Sequence, residues 1–293
     1  MVNMGPGSPL RPSSGRGPSA AHRIVSRLCL TEGLCMSEIT DRMRRLAASP
    51  DFIPGIHNYC DRWCERCAMT ACCSVFALQT DEASSSGPGQ GEDLIGQLGE
   101  ILESAVIMLH EMAEEMGVDL EEETDDGDAD LRRDAAHDHI LVHGAVKYAE
   151  AVRDWFACRQ TRLVEIGALP GPENRPDLHL VGPRSPAGDL AQILLWYSPL
   201  IHAKLYRAVI GDEPVAGLED LPRDADGSAK VALIAIERSV AAWSGLTGHL
   251  PEAEGEILAF LRQLERLRRA TEWSFPAARA FVRPGFDDPC VPD

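Results

Sequence analysis

The sequence predicts an all-α protein: a helical bundle of about five to seven helices with an N-terminal cysteine-rich metal-binding segment. Two observations predict this. Nearly every patterned stretch places its apolar residues at the helical period, and none alternates as a strand would. Cys60, Cys64, Cys67, Cys72 and Cys73 fall within fourteen residues, and soft thiolates crowded in this way select zinc, copper(I) or iron–sulfur clusters.

Residues 1–36 are rich in Gly, Pro, Ser and Arg and lack the apolar core of a signal peptide. They are read as a disordered leader or a miscalled start, outside the fold. Residues 37–80 form the cysteine-rich segment and 81–293 the helical bundle, expected to be one domain with it. Ile39, Met43 and Leu46 behind Ser37 predict a helix over 38–48. An apolar stripe from Leu94 to Met116, stopped by Gly117, predicts a long one. Ile140, Ala145, Tyr148, Val152, Trp155 and Phe156 lie in another, from Arg133 to Ile166. Leu169 to Ala187 is Pro/Gly-rich and has no period, so it reads as a loop or linker. Residues 188–210 predict a helix kinked at Ser198-Pro199, and Ser228–Leu246 and Glu252–Ala270 predict two more. Trp155, Trp196 and Trp243 fall on apolar faces and are expected to anchor the core. Phe281–Asp293, with three prolines, reads as an irregular strap.

Composition narrows the function. Lys and Arg number 28 against 46 Asp and Glu, a net charge of −18 that disfavours general nucleic-acid binding and anionic membranes. No apolar stretch reaches the length of a membrane span. A cytoplasmic location is expected, where thiols stay reduced, and nine cysteines is an odd number for a disulfide framework.

Cys60, Cys64 and Cys67 are spaced i, i+4, i+7, which on a helix sets all three thiols on one face over two turns. Cys72 or Cys73 is near enough to supply a fourth ligand. Four thiolates suit tetrahedral zinc and equally suit an iron–sulfur cluster, and spacing does not separate the two. The Cys-x3-Cys-x2-Cys spacing is shared with radical S-adenosylmethionine enzymes. Those carry an aromatic residue just before the third cysteine in a β/α barrel, whereas this helical chain has Arg66 there.

The stretch Ile53-Pro-Gly-Ile-His-Asn-Tyr-Cys-Asp-Arg-Trp-Cys-Glu-Arg-Cys67 resembles an uncharacterised bacterial protein family defined by this motif. Asp226-Gly-Ser-Ala-Lys230 and Phe281-Val-Arg-Pro-Gly-Phe286 are similar to the same family, so the likeness spans most of the chain after Met36. The resemblance implies Cys73 as the fourth cysteine, with arginine at the family position matching Cys72. It implies no activity.

Other candidates are weaker. His139 and His143 are i, i+4 and could share a metal with His110 or Glu111, but the paired Glu-x-x-His motifs of di-iron bundles are missing. The acidic run Glu121–Asp130 lacks the glycine and the final carboxylate of a calcium loop and reads as a solvated loop. Asp226 or Ser228 is a natural N-cap, and Gly227, Ser228 and Lys230 at such a helix start could hold an anionic cofactor group.

The sequence therefore points to a metal-binding helical protein, zinc or iron–sulfur, with a structural or regulatory site built from Cys60, Cys64, Cys67 and Cys73. A redox or sensing enzyme with a pocket in the bundle is the alternative. A third possibility is a helical module for a protein partner.

Overall fold

The structure, a computed structural model, describes residues 35–85, 94–116, 126–171, 185–212 and 223–287. Among these residues there are nine α-helices and no strand. In chain order they are α1 (Cys35–Ala48), α2 (Ser74–Ser85), α3 (Leu94–Met116), α4 (Asp126–Asp138), α5 (Ile140–Cys158), α6 (Gln160–Glu165), α7 (Pro186–Ile210), α8 (Asp224–Thr247) and α9 (Glu254–Ser274). The chain is all-α, with more helices than periodicity alone resolves.

The extra helices have local causes. The helix expected from Arg133 to Ile166 is broken twice. His139 adopts an extended conformation, and its ring accepts the Leu141 N–H at 3.3 Å, so it caps α5 instead of continuing α4. Arg159 interrupts the next turn and starts α6. α2 follows the cysteines directly. α7 begins at Pro186 behind Ser185, whose hydroxyl accepts the Gly188 N–H at 3.0 Å, and it continues through Pro199. Gly117 and the acidic residues before Asp126 lie outside the described residues, as do 1–34 and 288–293.

The chain divides into two compact units. In the smaller, α1 packs on α3, and Arg44 Nη2 reaches the Glu111 carboxylate at 2.6 Å. The larger contains residues 49–85 and 126–287 and is organised around α5, α7, α8 and α9. α7 and α8 run together along small residues, Ala191 and Ala208 on one and Ala225, Ala229 and Ala232 on the other, all buried. Trp243 on α8 is fully buried, stacks on Phe260 of α9 at 4.4 Å and meets the edge of Trp155 of α5 at 5.0 Å. Its indole N–H donates to Tyr148 OH at 3.0 Å, so the polar edge is not stranded. Trp155 and Trp243 are core anchors, as their positions predict, whereas Trp196 is half-buried and turned to the cysteine segment.

Candidate metal centre

Cys60, Cys64 and Cys67 do not follow one helical face. The chain makes short 3-10 turns at Ile56–Asn58, Cys64–Arg66 and Thr70–Cys72, with non-helical residues between. Arg62 has φ 58°, the one positive value at a non-glycine residue among those described, and reverses the backbone between Cys60 and Cys64. A continuous helix would keep Tyr59 and Trp63 in line, one turn apart. Instead they have different destinations. Tyr59 OH donates to Asp224 Oδ1 at 2.9 Å, at the start of α8. Trp63, 4% exposed, stacks on Trp196 at 5.0 Å and lies edge-on to Tyr197 at 5.8 Å, both on α7.

The other motif residues are struts to the same helices. Asp61 Oδ2 accepts from Tyr197 OH at 2.7 Å and from Arg238, and its carbonyl accepts from Trp196 Nε1 at 3.0 Å. Arg66 lies 4.3 Å above the Trp63 ring centroid and donates to Asp189 at 2.8 Å and Gln192 at 2.7 Å. Lys204 of α7 donates to the Asn58 carbonyl at 2.8 Å.

The three stretches singled out in the sequence meet here. Gly227 lies against the Tyr59 and Phe281 rings, which are 4.6 Å apart by centroid. Gly285, at φ 74°, lets the Arg283–Phe286 turn close over Ile53 and Ile56, where a β-carbon would come within 2.8 Å of Ile56 Cδ1. Lys230 donates to the Phe281 carbonyl and pairs with Asp287 at 2.7 Å. Arg283 and Lys230 hold the Asp287 carboxyl well below its usual range.

The four thiols of Cys60, Cys64, Cys67 and Cys73 line one cavity, partly open to solvent, whose apolar wall includes Ile56, Trp63, Met69, Phe76 and Phe286. Cys72 is not among its lining residues. All are free thiols, and Cys67 Sγ accepts the Met69 N–H at 3.3 Å. Among the described residues, no three His, Cys, Asp or Glu side chains meet closely enough to hold a single ion as they stand.

Gathering thiols in such a wall carries an electrostatic penalty. Burial pushes the Cys64 thiol up, and Cys60, Cys67 and Cys73 push it further as like charges. Burial also raises Cys67, against the lowering effect of the Met69 N–H. A bound cation would remove this penalty, since thiolate and not thiol is the metal ligand. His57 also lines the cavity. Its Nδ1 is buried without a partner, and burial, aided by Arg62, Arg207 and Lys204, lowers its pKa. Thiols are the donor chemistry of a soft metal, and the unpartnered His57 Nδ1 belongs to a residue that lines the same cavity.

The sequence-predicted anion site is placed differently from its expectation. α8 begins at Asp224, four residues before Ser228, with Arg223 as N-cap, so neither Asp226 nor Ser228 caps it. Gly227 N–H is engaged with the Arg223 carbonyl at 3.3 Å, Ser228 is fully buried, and Lys230 is occupied by Phe281 and Asp287. These residues clasp the tail and Tyr59, and they do not line the thiol cavity. His139 is used as a cap, and Glu111 is paired with Arg44.

Sequence reasoning missed Asp61, Tyr197, Arg238, His57 and Lys204. For Lys204 a signal existed. It stands three residues after Ile201 and four before Ala208 on the buried stripe of α7, where only a partnered lysine is tolerated. It is 7% exposed, and burial pushes its amine down to about 8.

The chain matches no family model, no curated protein and no solved structure compared with it.

Proposed function

We propose that Cys60, Cys64, Cys67 and Cys73 bind a thiolate-held metal centre, zinc or iron–sulfur, with a structural or regulatory task in a cytoplasmic helical protein. One observation carries this reading: these four thiols line one cavity, while Asp61, Trp63 and Arg66 between them are tied to α7 or α8. Four protein thiolates complete the tetrahedral shell of zinc and leave no open position for a substrate, which favours a non-hydrolytic role. No helix among the described residues is long and apolar enough to cross a membrane.

Metal analysis of protein isolated without oxygen tests the proposal. Stoichiometric zinc or iron that is lost in Cys64→Ser supports it. Metal-free protein, with Cys64→Ser unchanged in both metal content and melting temperature, removes its support.

A further inference from the structure

We propose that His202 makes the seat of α4 on α7 a pH-sensitive latch: α4 is docked while the His202 ring is neutral and is released when that ring takes a second proton. The geometry of the seat carries the proposal.

α4 rests on little apolar surface. From Asp130 to Asp138 every residue is exposed except Ala136, and Leu131 is 67% exposed. The helix reaches α7 through the His137 ring, whose centroid is 4.8 Å from that of Tyr206. His202 stands one turn before Tyr206 on the same face of α7, 6.4 Å from it by ring centroid. A helix with so little buried apolar surface belongs to the low-stability end of a fold, so a modest change at this contact decides whether it stays.

The seat has no acceptor for a proton on His202 Nε2, which is buried without a partner. A neutral imidazole can carry its one proton on Nδ1 and leave Nε2 bare, whereas the imidazolium has an N–H on both nitrogens. In the docked state that second N–H is a charged donor buried with nothing to receive it, which is costly. A charge on His137, across the seat, acts against one on His202. α5 and α8 also pack on α7, but among the described residues His137 is the charged group that acts on His202. On α4 itself, Arg133, one turn before His137, is paired with Asp130 at 2.5 Å. A proton on His137 is better tolerated, since that ring is exposed and lies against Tyr206, whose face attracts a cation. His202 is therefore the group that decides.

The direction follows from the burial. Burial first, and His137 second, lower the pKa of His202 in the docked state. Once undocked, the ring returns towards about 6.5. Below that value the released form binds a proton that the docked form does not, so acid moves the population towards release.

Amide hydrogen exchange of the full chain, expressed as protection relative to the unstructured rate at each pH, reads the docking of α4 with α9 as the internal reference. Between about pH 7.5 and about pH 5, α4 should lose protection several-fold while α9 keeps its own. His202→Phe keeps a ring that takes no proton, and should hold α4 protection level across the same range. In wild type, the His202 ring resonances should titrate with the same midpoint as the loss from α4. Unchanged protection of α4 in wild type overturns the latch. So does a loss that persists in folded His202→Phe, or a His202 ring that titrates apart from α4.

Discussion

Tyr59 lies across Gly227 so closely that a β-carbon at position 227 would stand 2.3 Å from Tyr59 Cε1 and 2.6 Å from Phe281 Cζ. Glycine is needed here for space, since α8 itself is helical at this point. Gly227→Ala must displace one ring or the other, and both are held: Tyr59 by Asp224, Phe281 by the chain turn that Lys230 grips. Overpacking of this kind costs about 1–3 kcal/mol. The expected result is a lowered urea midpoint together with faster thiol labelling of Cys60, as Tyr59 is levered off its seat. A variant as stable as wild type with unchanged labelling would show that the clasp is not rigid.

Asp61 ties the segment to both α7 and α8, through Tyr197 and Arg238. Tyr197 is 2% exposed, and its hydroxyl donates to Asp61 at 2.7 Å. Asp61→Ala leaves that hydroxyl and the Arg238 guanidinium without their shared acceptor, a loss of about 1–3 kcal/mol. Asp61→Asn keeps an acceptor oxygen and should recover part of it. Denaturant melts of the two variants give the stability, and thiol titration gives the exposure of Cys64. Equal loss in both would mean that charge, not hydrogen bonding, is what Asp61 provides.

These two relationships show where sequence reading stopped. The helices were legible because apolar spacing reports which face is buried: α3 was placed to the residue and α7 within two, while an end of α1, α8 and α9 was off by three or four residues. The crowding of the cysteines in the sequence is matched by a shared cavity, which Cys60, Cys64, Cys67 and Cys73 line. The path of the chain between them was not legible. It is fixed by partners 136 and 177 residues away, Tyr197 and Arg238, and by one reversed residue, Arg62. Helical spacing at Cys60, Cys64 and Cys67 therefore predicted a regular face where tertiary bonds impose turns. The start of α8 was misplaced for a related reason. Gly227 and Ser228 look like punctuation, but here they are small residues chosen for a close approach inside a helix.

Lys204 makes the stability of the larger unit depend on pH in a defined direction. Burial, with Arg207 adding, pushes its amine from 10.5 down to about 8. Between those values the unfolded chain binds a proton that the folded chain does not, so stability rises with pH through this window. Below about pH 8 the buried charge is a standing penalty, partly offset by the Asn58 carbonyl. The measurement is the difference in urea midpoint between wild type and Lys204→Met from about pH 7.5 to 10.5. Wild type should gain on the variant as pH rises. Parallel curves would mean that the amine is solvated in the folded protein.

Cys72 and Cys73 are adjacent, yet the fold gives them different surroundings. Cys72 ends the Thr70–Cys72 turn, and its carbonyl accepts the Ile53 N–H at 3.0 Å, which ties its backbone to the entry of the segment. Cys73 follows in an extended conformation and lines the thiol cavity. Only the second shares a cavity with Cys60, Cys64 and Cys67. Cys73→Ser should therefore lower metal affinity by at least about tenfold, since loss of a ligand exceeds the usual effect of its outer partners. Cys72→Ser should keep full stoichiometry and change stability by no more than about 0.5 kcal/mol. Metal content and competition against a chelator on the two variants settle the assignment. Loss in Cys72→Ser with retention in Cys73→Ser would reverse the roles and require the Thr70–Cys72 turn to unwind when metal binds.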